Sequence, residues 1–160
     1  MIIKNFLTKE ECKNLVEEAK NSNDWKPQNK DTGIFILKSK NHSLMVDIYK
    51  RVSKLFDSNL HAQTIRMIHK TDKNSFWERH SDNSGGDEIK YGVVIYLNQD
   101  FEGGELFYPD LGITIKPEEG MLVYHDGDED HEVLKVISGD RYTLTSFMRL
   151  PKNKKDEFGV

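Results

Sequence analysis

Apolar positions change their spacing near residue 60. Before it, Leu7, Cys12, Leu15, Val16 and Ala19 lie on one helical stripe, and Thr8 followed by Glu11 forms a capping box, with Leu7 and Cys12 placed as a hydrophobic staple. Leu44, Ile48, Val52, Leu55 and Phe56 mark a second helix ending near Asp57, with "GIFIL" at 33–37 as a short strand between the two. Beyond Leu60 the apolar runs shorten: "QTIRMIH" (63–69), "YGVVIYLN" (91–98), "GELFYP" (104–109), "GITIKP" (112–117), "GMLVYH" (120–125), "HEVLKVI" (131–137) and "RYTLTSFM" (141–148). Gly, Asp, Asn and Pro separate them. The pattern predicts a mainly β protein, an antiparallel sandwich or barrel, with the two helices packed on one outer face.

At 160 residues the chain reads as one domain. Residues 1–60 form a helical support, 61–148 the β core, and 149–160 a charged tail that includes "PKNKKDEFGV". Net charge is -4, from 23 basic and 27 acidic residues, which offers no basic patch for nucleic acid. A single cysteine, Cys12, forms no internal disulfide and reads as a small core hydrophobe, so a reducing compartment, the cytoplasm, is expected. No apolar run approaches the roughly 18 residues of a spanning helix, and "MIIKNFL" meets Thr8 and charge before a signal-peptide core could form.

The candidate chemistry begins at "ERHSDNSGGDE" (78–88). His80 and Asp82, two apart in an extended segment, point to the same side, so one metal can touch both. Imidazole and carboxylate suit a divalent transition metal, and two histidines with one carboxylate leave positions open for other ligands. By itself the pair also reads as a solvated turn, or as an Asx hydrogen bond from Asp82. Downstream, His131 begins an alternating strand, "SGD" turns, and Arg141 starts the return strand, so in a hairpin both side chains can face one interior. His125, six residues before His131, is a rival ligand, while His42 and His61 read as surface or packing residues.

"HSDN", "YLNQDFEGGEL", "KPEEGMLVYH" and "HEVLKVISGDRYTLTSF" occur in an order that resembles the iron(II) and 2-oxoglutarate dependent dioxygenases of the prolyl 4-hydroxylase type, over about residues 60 to 148. The resemblance implies a double-stranded β-helix core of the jelly-roll or cupin-like kind. It assigns Fe(II) to His80, Asp82 and His131, and the distal carboxylate of 2-oxoglutarate to Arg141, whose guanidinium fork meets a carboxylate bidentately. Tyr96 and Thr145 match hydroxyls near that carboxylate, and Leu106 matches the apolar wall. Tyr96 and Leu106 also read as ordinary core, and Arg141 as a surface ion-pair partner.

The implied activity is hydroxylation of a C–H bond by dioxygen, with 2-oxoglutarate converted to succinate and CO2 and with ascorbate as an accessory reductant. A prolyl residue of a peptide or protein is the expected substrate. The alternatives are a free amino acid or other small molecule, or a β-helix module that binds metal or ligand without catalysis. Repair of alkylated nucleic acid fits poorly, because relatives of that kind carry a second arginine where this chain has Phe147. His69 stands where many relatives have a tyrosine near the co-substrate. Trp77 and Arg79 precede the first ligand as candidates for substrate contact or anchoring, and the polar segment 70–90 reads as a mobile loop.

Overall fold

Thr8 caps the first helix in both directions. The computed structural model describes residues 1–28, 32–63, 65–85 and 88–150. In it the Thr8 hydroxyl accepts from the Glu11 amide at 3.2 Å, and the Glu11 carboxylate accepts from the Thr8 amide at 2.8 Å. Glu11 also pairs with Arg51 of the second helix at 2.6 Å. Burial alone would raise the Glu11 carboxyl pKa, but the Thr8 amide and the Arg51 guanidinium outweigh it and hold it below the ordinary value.

In chain order the elements are β1 (Ile2–Ile3), α1 (Lys9–Asn21), β2 (Lys26–Pro27), β3 (Ile34–Lys38), α2 (His42–Ser53), β4 (His61–Gln63), β5 (Met67–Thr71) and β6 (Trp77–His80). A 3-10 turn (Asp82–Gly85) follows, then β7 (Ile89–Tyr96), β8 (Glu102–Gly103), β9 (Leu106–Tyr108), β10 (Ile113–Ile115), β11 (Leu122–Asp126), β12 (His131–Val133), β13 (Val136–Ser138) and β14 (Arg141–Arg149). An eight-stranded sheet runs β1-β11-β7-β14-β5-β3-β2, with β4 also on β14. A four-stranded sheet runs β10-β9-β12-β6, and β13 pairs with β8. The two larger sheets are antiparallel throughout and give the mainly β, double-stranded β-helix expected from the sequence.

Alternation along the strands sorts the side chains between two cores. Val93 and Ile95 of β7, with Leu97 just past its end, join Leu144 and Tyr142 of β14, and Ile68 of β5, in a cluster with Cys12, Leu15 and Ala19 of α1 and Met45, Ile48 and Val52 of α2. Both helices therefore cover one face of the large sheet, and each large apolar side chain buried there contributes about 1.5–3 kcal/mol. The opposite face looks between the sheets, where Tyr96 packs with Leu106, Tyr108, Met121, Val123 and Val133. Among the described residues no helix is long and apolar enough to cross a membrane.

Several boundaries differ from the sequence reading. "HEVLKVI" is two strands in different sheets: β12 pairs with β6 and β9, and β13 with β8. The expected His131–Arg141 hairpin therefore does not form, because β14 belongs to the large sheet. Segment 70–90 is not one loop; it carries the end of β5, all of β6 and the 3-10 turn. The run at 63–69 contributes to β4 and β5, with residue 64 outside the described residues. The tail's first residue, Arg149, ends β14, and residues 151–160 lie outside the described residues.

Candidate iron and co-substrate site

His80 and His131, 51 positions apart in sequence, are register partners across β6 and β12. Their ring centroids are 4.4 Å apart, with the ring planes tilted by 53°. Asp82 opens the 3-10 turn just after β6, and its Oδ1 lies 4.0 Å from His80 Nε2 and 3.7 Å from His131 Nε2. One ligand atom from each of the three residues falls within 4.8 Å of the other two.

Local backbone aims both imidazoles. His80 Nδ1 is 2.7 Å from the Glu78 carbonyl and His131 Nδ1 is 2.9 Å from that of Glu129. A carbonyl only accepts, so the network assigns the proton to Nδ1 in each ring and leaves each Nε2 lone pair free toward the shared centre. Burial, and then the neighbouring His125, hold the His131 pKa well below the ordinary value, which keeps its lone pair available at neutral pH. Two neutral imidazoles and one carboxylate on one side of a cavity fit a divalent transition metal such as Fe(II), with room for exogenous ligands.

The turn is pinned by Asn83. Its side chain donates to the Ile89 carbonyl at 2.9 Å and to Asp128 at 2.8 Å, and accepts from the Ile89 amide at 2.8 Å. Arg79 supports the two histidine strands from outside, pairing with Asp130, next to His131, and with Asp110 after β9, both at 2.8 Å. Trp77 lines the cavity mouth beside His80. The anchoring reading thus describes Arg79's contacts.

A cavity of about 340 Å³ opens from the three ligand-type residues toward Arg141. Arg141 is 3% exposed, and among the described residues no carboxylate lies within ion-pair distance of it. Its Nε donates to the Gly104 carbonyl at 3.2 Å, and its guanidinium sits 5.1 Å from the Tyr96 ring centroid. Gly104 has φ +67°, a conformation that glycine adopts freely, in the "GGEL" turn. The surface ion-pair alternative for Arg141 is therefore wrong: the side chain is inside.

Arg141, Thr143, Thr145 and Phe147 alternate along β14 into the cavity, and Leu106 and Val133 close its apolar side. Thr143 is in register with both Tyr96 on β7 and His69 on β5, which makes one row of polar side chains across three strands. The Tyr96 hydroxyl and His69 Nδ1 are buried without a hydrogen-bond partner among the described residues. Burial raises the Tyr96 pKa against the opposing charge of Arg141. Burial, then Arg141, lowers that of His69 to about 4, so its imidazole is neutral. Orphaned buried polar atoms around an unpaired buried cation cost free energy, and an anionic ligand with several acceptor oxygens would offset that cost.

His125 is not among the three converging ligand atoms; its Nε2 lies 3.2 Å from Asp82 Oδ2, and its ring lies beside that of His131, with centroids 4.1 Å apart. His42 is exposed at the start of α2 and His61 is half-buried with Nδ1 3.5 Å from the Tyr49 hydroxyl, and neither lines the cavity. Sequence reasoning missed Asn83, Gly92, Tyr108 and Thr143. Thr143 alone had an available signal, the period-two continuation from Arg141 to Thr145.

Comparison with known proteins agrees with this arrangement. The 2OG-Fe(II) oxygenase superfamily model matches residues 63–149, more than half of the chain. An Arabidopsis thaliana relative, "Probable prolyl 4-hydroxylase 10", is 24% identical over 94% of this chain and 68% of its own length. The viral collagen prolyl hydroxylase from Paramecium Bursaria Chlorella virus-1 superposes with a TM-score of 0.71, at 19% identity and with 95% and 96% of the two chains covered. A Trichoplax adhaerens prolyl hydroxylase in complex with a hypoxia inducible factor peptide fragment superposes with a TM-score of 0.68, at 19% identity and with 92% and 82% coverage. The chain belongs to the 2OG-Fe(II) oxygenase superfamily and is a 2-oxoglutarate-dependent dioxygenase.

Proposed function

We propose that this dioxygenase hydroxylates a prolyl residue of a peptide or protein, with His80, Asp82 and His131 holding iron and Arg141 holding the distal carboxylate of 2-oxoglutarate. The observation that carries this reading is the placement of a buried guanidinium, with no carboxylate partner among the described residues, in the same cavity as the His-Asp-His cluster. Iron bound at that cluster would activate dioxygen, the oxidant, so that one oxygen atom enters the C–H bond and the other enters succinate as 2-oxoglutarate loses CO2.

The chain's own residues bind, orient and exclude water. The Arg141 fork presents parallel donors to a carboxylate, and the Tyr96 hydroxyl and neutral His69 are further donors within the same row. Thr145 adds a hydroxyl, and Leu106 and Val133 exclude water on one side, which strengthens each charged contact. At the other end, the wall at Gln28, Trp77 and His80 is shared with an open groove of about 740 Å³ along Gly33, Ser75 and Phe76. An open groove suits an extended peptide better than a closed small-molecule pocket, and the names of the prolyl hydroxylase relatives support a prolyl target.

The test is a panel of peptides incubated with Fe(II), 2-oxoglutarate and oxygen. A gain of one oxygen on proline-containing peptides, with stoichiometric succinate, is expected. Succinate coupled to oxidation of a free amino acid, with no peptide modified, would overturn the peptide assignment.

A further inference from the structure

Asp82 has two oxygens, and the fold treats them differently. Oδ1 faces the two imidazoles, at 3.7 and 4.0 Å, whereas Oδ2 faces His125 Nε2 at 3.2 Å. On its other side the His125 ring meets the Tyr108 hydroxyl at Nδ1, 2.8 Å away. Side chains of Asp82 and His125 are 6% and 5% exposed, and Tyr108 is buried between the sheets. A buried carboxylate needs hydrogen-bond donors, and none but His125 is in contact with Oδ2 among the described residues.

The ring has two nitrogens and two partners, which decides where its proton lies. Asp82 Oδ2 is an acceptor, so the nitrogen facing it carries the hydrogen; Nδ1 then accepts from the phenol. Burial raises the Tyr108 pKa, so the phenol retains its proton. Both ring nitrogens are thereby occupied, which explains how a histidine so close to the cluster stays out of it. The sheet is built for the contact: His125 on β11 is the register partner of Gly92 on β7, and the carboxylate rests over the space where Gly92 lacks a side chain.

We propose that His125 is a positioning residue: it holds Asp82 Oδ2 and so presents Oδ1 alone to the metal, with Tyr108 setting the imidazole tautomer that makes this possible. The inference rests on the ligand assignment made above for His80, Asp82 and His131. Partners behind a ligand typically set metal affinity by about 10–100-fold, which is the scale expected here.

The experiment is anaerobic titration with Co(II), an Fe(II) surrogate whose visible ligand-field bands report coordination number. His125→Phe should weaken Co(II) binding by about tenfold or more. It should also shift the bands, because a released Oδ2 becomes free to approach the ion. His125→Gln, which keeps an N–H near the Nε2 position, should recover most of the affinity and the wild-type bands. Tyr108→Phe removes one oxygen with little change of packing, and should weaken binding by several-fold even if His125→Phe fails to fold. Wild-type affinity and bands in Tyr108→Phe and in any folded His125→Phe, or a His125→Gln protein no better than His125→Phe, would overturn the proposal. Wild-type protein that binds no Co(II) would refute the ligand assignment itself, and the positioning role with it.

Discussion

Gly92 lies against the Asp82 carboxylate so closely that a Cβ at that position would overlap Asp82 Oδ2 and His125 Nε2. The missing side chain, rather than an unusual backbone angle, is what admits the carboxylate. Gly92→Ala should therefore leave the β7–β14 pairing and overall fold in place while displacing Asp82. Metal affinity should drop by about tenfold or more, as for loss of a supporting contact, with a native far-ultraviolet circular dichroism spectrum. Unchanged affinity would mean that Asp82 is not held where the geometry requires it.

Arg141 donates to Gly104 but has no carboxylate partner among the described residues. Arg141→Gln should retain metal binding and weaken 2-oxoglutarate binding by about tenfold or more, the scale of a lost charged hydrogen bond of roughly 1.5–3 kcal/mol. Calorimetry under anaerobic conditions separates the two effects. Equal co-substrate affinity in the variant would exclude the assigned role.

His69 links the site to acid sensitivity. Its folded-state pKa is about 4, against 6.5 for an ordinary histidine, because it is buried and Arg141 is near. Between pH 6.5 and 4 the unfolded chain binds a proton that the folded chain refuses, so this contribution to stability is complete above that window and is lost as pH falls through it. The slope is at most about 1.4 kcal/mol per pH unit, and His131 adds to it with the same sign. Urea unfolding of the metal-free protein should show a shallower loss of stability on acidification for His69→Gln than for wild type. Equal slopes would contradict the burial of a neutral imidazole.

Much of this was legible in the letters, for identifiable reasons. Thr8 and Glu11 announce a helix start because capping is a local hydrogen-bond exchange, and His80 and Asp82 are near neighbours whose geometry needs no long-range information. The split of "HEVLKVI" was hidden because both halves have strand-like residues, and their sheets are chosen by distant partners: β6 and β9 for one, β8 for the other. β6 itself, "WERH", is polar because it is an edge strand with half its side chains at the surface, so it lacks the apolar alternation that marks a strand. Gly92 in "YGVV" carries no signal in the letters, and His125 in "VYHD" reads there only as a rival ligand, since the contact each makes with Asp82 depends on a cross-strand register and on a turn that starts elsewhere.

Cys12 gives a check on the outer core. Burial, followed by the charges of Glu119 and Glu11, raises its thiol pKa to about 12. The thiol is fully inaccessible under α1. A disulfide reagent should leave the native protein unmodified and label one thiol per chain only after denaturation. Rapid labelling of the native protein would show that the helix does not seal that face.

The measurement that bears most directly on the central claim is the visible absorption spectrum of the protein with Fe(II) and 2-oxoglutarate in the absence of oxygen. If His80, Asp82 and His131 share one ion beside Arg141, wild type should develop the weak charge-transfer band of an iron(II) chelate of the keto acid, and Asp82→Ala should not. A wild-type protein without the band, or an Asp82→Ala variant that keeps it at full intensity, would contradict the account.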